Sequence, residues 1–136
     1  MAEKVVVELT REQARAVMNA TELLARLEIG QFKEITWKMI DRFMTDDGKK
    51  FDSTRRDAAD ELLEQACRAV FGVNQYNRPD VREKSMQHQR CWAVYSTIRY
   101  ALTWHDHPEG GVTVDFQEPL GYGEKLPVCR IEEDGK

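Results

Sequence analysis

The residues best suited to chemistry lie together at positions 104–109, which read W-H-D-H-P-E. Imidazole and carboxylate groups are ordinary ligands of Zn²⁺, Mn²⁺ and Fe²⁺. His105, His107 and Glu109 are therefore candidate metal ligands, and with Asp106 they could serve acid–base catalysis. The spacing also fits a simpler alternative, because ligands on one helix face lie three or four residues apart and a proline separates His105 from Glu109. Histidines at a helix end complement its partial negative charge.

A second candidate site combines aromatic and basic side chains on the helix that precedes this run. Trp92, Tyr95 and Arg99 lie at positions i, i+3 and i+7, which makes them neighbours on a helix. A guanidinium beside aromatic rings can hold a phosphate while a ring stacks on a base. With Trp104, these residues form the predicted site for a small nucleotide-type anion. The alternative is that Trp92 packs at the core margin and Arg99 reaches solvent over a buried stem.

The pair Arg55-Arg56 falls in the first turn of a predicted helix, where positive charge is mildly unfavourable beside the helix dipole. These arginines could meet a carboxylate or phosphate of a partner. Because Asp52, Asp57 and Asp60 surround them, they could equally belong to a solvated charged face.

Amphipathic helices are needed to position these residues, and the sequence predicts four. A capping box at Thr10-x-x-Gln13 starts the first helix and Gly30 ends it. The second is predicted over about 31–44, with Trp37 off its apolar stripe.

The third and fourth helices are separated by a predicted loop at 74–77. The third starts near Ser53 or Thr54, where Thr54-x-x-Asp57 is a capping pattern, and ends at Gly72. The fourth runs from about Asp80 to His105.

Short runs with β-branched or alternating residues predict three strands, at 5–9, 112–117 and 126–131. The expected fold is an α-rich α+β domain of order β-α-α-α-α-β-β, with a small antiparallel sheet. It covers residues 1–131 as a single compact domain, and the acidic tail 132–136 is expected to fray. Since the first strand cannot stand alone, it must pair with the C-terminal hairpin or with another copy, which favours a homo-oligomer.

Composition restricts the class of protein. The 136 residues carry 20 Lys+Arg and 24 Asp+Glu, a formal net charge of −4, which argues against nucleic-acid binding. No membrane-spanning segment or secretory signal is found, so we expect a cytoplasmic protein. The three cysteines include no C-x-x-C pair and are expected to be reduced and structural.

Several catalytic and nucleotide-binding patterns are absent from the sequence. It contains no G-x-x-x-x-G-K-[ST], G-x-G-x-x-G, G-x-S-x-G or H-E-x-x-H motif. The sequence therefore indicates no catalytic residue and no cofactor.

Both ends of the sequence resemble small accessory proteins of tailed phages and prophages. The similar stretches are 9–14 and 29–35 near the start, and 98–111 and 114–120 near the end. The resemblance implies no assigned activity. It implies a phage accessory protein, located in the bacterial host, that binds a host protein or captures a defence signalling molecule, and that is often oligomeric.

Three functions follow as hypotheses. The first is non-enzymatic binding of a host factor or defence component. The second is an oligomeric sponge for a nucleotide-type ligand, and the third is a small metal-dependent enzyme that uses the 105–109 cluster.

Overall fold

The computed structural model describes residues 3–45, 47–72, 85–121 and 123–133. In these residues the chain is helical, with α1 (Arg11–Glu28), α2 (Glu34–Lys38), α3 (Ser53–Phe71), α4 (Met86–Asp106) and two 3-10 helices (Ile40–Phe43 and Val114–Phe116). None of the described helices combines the length and the apolar character needed to cross a membrane.

The predicted capping box starts α1. The Thr10 hydroxyl accepts a hydrogen bond from the Gln13 backbone N–H at 3.1 Å, and the Gln13 side chain accepts one from the Thr10 N–H at 2.9 Å. Two N–H groups that have no partner inside the helix are thereby satisfied. Gly30 follows the helix with φ of 83°, a left-handed conformation that favours glycine, so both predicted limits are confirmed.

The second helix is much shorter than predicted. Instead of one helix over 31–44, the chain forms the five-residue α2 and then a 3-10 helix, with Met39 between them at φ −108° and ψ 25°. The segment is rich in β-branched and aromatic residues, which lose side-chain freedom in a helix and form it less readily. As a result Trp37 lies on a single turn and not inside a long helix.

Helix α3 begins and ends where the sequence predicts. Its capping residue is Asp52, whose side chain accepts a hydrogen bond from the Arg55 N–H at 3.1 Å, and not Thr54. Gly72 ends the helix with φ of 82°.

Helix α4 ends at Asp106, one residue beyond the prediction. Its predicted start near residue 80, and the loop at 74–77, lie outside the described residues. The described part of the helix follows Ser85, whose hydroxyl accepts a hydrogen bond from the His88 N–H at 3.0 Å.

The predicted α+β class is wrong, because no strand or sheet is present in the described part of the chain. Residues 3–10 have no regular secondary structure, 114–116 form a 3-10 helix, and 126–131 are irregular. An isolated antiparallel bridge joins Met44 to Phe51 around the predicted polar turn. Alternation of apolar and polar residues indicates which side chains would face a core. It does not show that another strand is available for backbone hydrogen bonds, which a sheet requires. Near the C-terminal end, Pro119 and Pro127 also lack the N–H that a ladder needs.

The chain divides into two compact units. The first contains residues 1–21 and 93–136, and the second contains residues 22–92. In the first unit Leu102 is buried, together with Ser96 and Thr97.

In the second unit Ala25 and Cys67 are fully buried. The Cys67 thiol donates to the Gly30 carbonyl at 3.3 Å, and both α2 and the following 3-10 helix contact α3. Apart from Leu102, these are the only buried apolar side chains among the described residues. The described chain therefore leaves much apolar surface exposed.

Cys67, Cys91 and Cys129 are free thiols, the first buried and the other two partly buried. Burial raises the pKa of the Cys91 and Cys129 thiols, and the nearby charge of Glu28 adds to the shift at Cys91. A smaller fraction of both thiols is therefore ionised at neutral pH than in a cysteine exposed to water, so both are weaker nucleophiles.

Candidate functional site

The three predicted metal ligands lie at or just beyond the exposed end of α4. They do not converge on one point but belong to two separate pairs. His105 Nε2 is 3.3 Å from a carboxylate oxygen of Glu133, and His107 Nδ1 is 3.4 Å from one of Glu109. No group of three metal-ligating side chains that could hold an ion occurs in the residues searched, which are the described ones. The structure therefore gives no support to a metal centre here.

Asp106, between the two histidines, is engaged by arginines of α1. Arg11 contacts both of its carboxylate oxygens at 2.9 Å, and Arg15 lies 3.7 Å away. The Arg11 hydrogen bond is the main reason that the pKa of Asp106 lies below its ordinary value, and the charges of Arg11, Arg15 and His105 act in the same direction. Asp106 is thus an ionised structural partner, not a general acid.

Trp104, in the last turn of α4, packs against the chain that follows the helix. Its indole Nε1 donates to the Phe116 carbonyl at 3.1 Å, and the two rings meet edge to face at 5.4 Å. A Cβ at Gly110 would lie 3.1 Å from the Trp104 ring, and one at Gly111 only 2.3 Å from the Phe116 ring. Close packing therefore requires a glycine at position 111, and at position 110 the positive φ of 83° favours one. This supports the helix-end interpretation of the 104–109 run.

The four predicted ligand-binding residues are divided between the two units. Trp92 belongs to the second unit, where it stacks on His88 at 6.3 Å between ring centroids and Arg26 lies over its ring at 5.6 Å. The buried His88 Nδ1 is 2.7 Å from the Ala25 carbonyl. Because a carbonyl can only accept, this nitrogen carries the hydrogen.

Tyr95, Arg99 and Trp104 belong to the first unit. The Arg99 guanidinium lies over the Tyr95 ring at 4.9 Å, donates to its hydroxyl at 3.2 Å, and its Nε is 3.6 Å from Asp115. The predicted pairing of an arginine with an aromatic ring is thus present. However, Asp115 already supplies a negative charge to the guanidinium, which lowers its attraction for a phosphate.

A different site is built on α2 and the first turns of α3, within the second unit. A cavity of about 400 Å³ is lined by Gln31, Lys33, Glu34, Thr36, Trp37, Arg56 and Asp60. Trp37 is 66% exposed, and Met39 just beyond it is 55% exposed. Such exposure is unusual for a tryptophan, whose ring gains most from leaving water.

The polar wall of this cavity is organised around Asp60. The buried Thr36 hydroxyl is 2.5 Å from one Asp60 oxygen, and Arg56 Nε is 3.4 Å from the other. Lys33, one helical turn before Trp37, forms no ion pair with a described residue. Among the charged groups that line the cavity, the Lys33 ammonium is the one that no described carboxylate pairs with.

The remaining carboxylate of the cavity, Glu34, belongs to a group of four charges with Glu22, Arg26 and Lys38. Lys38 and Arg26 lie 3.8 and 3.7 Å from Glu34, and both also contact Glu22. Burial alone would raise the pKa of Glu22, but hydrogen bonds and charges from Lys38 and Arg26 outweigh it and hold that pKa below the ordinary value. This network fixes α2 against α1 and so orients Trp37.

Trp37 and Arg56 each stand out in the sequence, but no local pattern places them at one site. They are 19 positions apart in the sequence. They lie close together because α2 ends early, at Lys38, so that its side chains reach the start of α3. The available indications were an aromatic residue off the apolar stripe and an arginine in a first helical turn.

No protein-family model matches the chain, and no curated protein or solved structure shows significant similarity to it. The site must therefore be interpreted from its own geometry.

Proposed function

We propose that this chain acts without catalysis, by binding a protein partner through the cavity that Trp37 borders. In keeping with the resemblance to phage accessory proteins, the partner is a host factor or defence component in the bacterial cytoplasm. The observation that carries the proposal is a tryptophan 66% exposed that lines a partly open surface cavity. Tryptophan, methionine and arginine are enriched in protein interfaces, and tryptophan often supplies much of the binding energy.

The charges of the cavity define the partner's chemistry. Arg56 is neutralised by Asp60, and Glu34 is balanced by Lys38 and Arg26, so the positive charge of Lys33 is left over. A partner that places an apolar side chain against Trp37 and a carboxylate near Lys33 satisfies both groups. An acidic, partly apolar segment of a protein fits this surface.

A matched pair of variants tests the proposal. Leu62 on α3 is 64% exposed, close to the value for Trp37, and does not line the cavity. Tagged wild type, Trp37→Ala and Leu62→Ala are used to capture proteins from host lysate at physiological salt. A protein retained by wild type and Leu62→Ala is then purified, and its affinity for each variant is measured by calorimetry.

Trp37→Ala should weaken binding of the purified partner by about tenfold or more, the loss typical of a central interface residue. Lys33→Glu should weaken it as well, whereas Leu62→Ala should not. Equal affinity for wild type and Trp37→Ala would place the interface elsewhere. The absence of any stoichiometric partner would contradict the proposed function itself.

The alternative of a nucleotide sponge ranks second, since Arg99 already contacts Asp115 and Trp104 already donates to Phe116. Native mass spectrometry of untagged protein from its host compares the two functions. A bound phosphorylated mass that is lost in Arg99→Ala would favour the sponge.

A further inference from the structure

We propose that the extended segment of residues 3–9 pairs with the same segment of a second copy, as a two-stranded antiparallel ribbon around a twofold axis at Val6. This contact is independent of the Trp37 cavity and of the function proposed for it. The two copies are held by residues that form no hydrogen bond or ion pair with the described part of their own chain.

The segment is free to pair. Val5, Val6 and Val7 are 87%, 73% and 66% exposed, and residues 3–9 form no hydrogen bond with a described residue. β-Branched residues favour an extended backbone, whose unpaired N–H and C=O groups can bond to another strand. Since the capping box of α1 starts at Thr10, the segment does not join the helix.

One antiparallel register matches positions 4–8 of the segment. With Val6 opposite Val6, Lys4 faces Glu8 of the other copy and Val5 faces Val7. The Lys4–Glu8 ion pair and the Val5–Val7 pair each occur twice because the contact is symmetric. Opposite charges facing each other across a ribbon stabilise it, whereas like charges destabilise it.

The same register separates the two faces of the ribbon. Side chains alternate along a strand, so Val5, Val7 and Leu9 of both copies share one mainly apolar face, with Glu3 at its two ends opposite Leu9. Lys4, Val6 and Glu8 share the other face, where the ion pairs lie. The ribbon is therefore amphipathic.

Neighbouring arrangements lose this match. A shift of one residue brings Glu3 opposite Glu8 or Lys4 opposite Leu9, and a parallel in-register pair brings Lys4 opposite Lys4. Charge complementarity thus selects a second copy in a single orientation. Because a two-stranded ribbon alone is only marginally stable, we expect a dimer that dissociates on dilution.

Charge reversal tests the contact by analytical ultracentrifugation across a range of concentrations. Glu8→Lys should weaken the dimer by about tenfold, from two lost ion pairs and new Lys–Lys repulsion. Glu3→Lys changes the net charge equally but faces Leu9, so it should leave the dimer largely intact. The double variant Lys4→Glu/Glu8→Lys should restore it. Circular dichroism confirms that each variant keeps its helices.

Cysteine cross-linking tests the direction of the strands, with wild type under the same oxidation as the baseline for the native cysteines. Facing residues in an antiparallel pair lie close enough for a disulfide. A mixture of Lys4→Cys and Glu8→Cys chains should therefore cross-link, and Lys4→Cys alone should not. A wild-type chain that stays monomeric at all concentrations, or a dimer indifferent to Glu8→Lys, would overturn the proposal.

Discussion

The Trp104 indole donates a hydrogen bond of 3.1 Å to the Phe116 carbonyl, so the end of α4 is fixed to the 3-10 helix that follows it. The glycines between them fit because they carry no Cβ. The residue types of the 104–111 run are therefore explained by the packing of the chain where it leaves α4, and this explanation does not depend on a binding partner.

Gly111→Ala should destabilise the protein by about 1–3 kcal/mol, the usual cost of an extra methyl group in a packed site. The new Cβ would lie 2.3 Å from the Phe116 ring, which Trp104 holds in place. Gly121→Ala is the control, since no described atom beyond the adjacent residues lies within 4 Å of its Cβ and the unfolded chain changes in the same way. Urea unfolding of the two variants measures the difference, and equal midpoints would contradict the packing argument.

Thr10→Ala should cost about 0.5–2 kcal/mol, because the N–H of Gln13 loses its acceptor at the start of α1. Thr10→Ser keeps the hydroxyl and should retain most of the stability. Thermal unfolding followed by circular dichroism compares the two. If serine and alanine proved equally destabilising, the capping bond would not be the cause.

Stability should fall as the pH drops below about 4.5, the ordinary pKa of a glutamate, partly through Glu22. The folded-state pKa of Glu22 lies below that value, so the unfolded chain binds more protons in this range and stability rises with pH. The contribution is complete above pH 4.5 and is lost as the pH falls through the folded-state pKa. Urea unfolding between pH 3 and 7 should show a shallower acid slope for Glu22→Gln than for wild type. Identical slopes would exclude Glu22 as a source of the acid sensitivity.

The local patterns in the sequence predicted the long helices better than the pairing of distant segments. Thr10, Gln13, Gly30 and Gly72 act through neighbours a few residues away, so the limits of α1 and α3 could be predicted. The strands could not, because a run such as 112–117 alternates in the same way whether or not another strand is available to pair with it.

The candidate site was beyond prediction for a related reason. Its position depends on α2 ending at Lys38. This end could not be predicted, because the apolar residues continue at helical spacing as far as Phe43. The predicted binding residues Tyr95 and Arg99 do lie together, since a helix fixes neighbours four positions apart. That Asp115 would meet Arg99 depends on the chain beyond α4, and no local pattern shows it.

Arg11→Gln should raise the pKa of Asp106 more than Arg15→Gln does. Arg11 contacts both carboxylate oxygens at 2.9 Å, and Arg15 approaches only one, at 3.7 Å. A hydrogen bond to the ionised form favours that form more than a charge at greater distance through solvent. Carbon-13 NMR titration of the Asp106 carboxyl measures this pKa in the wild type, below the ordinary 3.8, and in both variants. Because the two substitutions remove the same charge, an equal rise in both would mean that net charge, and not the Arg11 contact, holds Asp106 ionised.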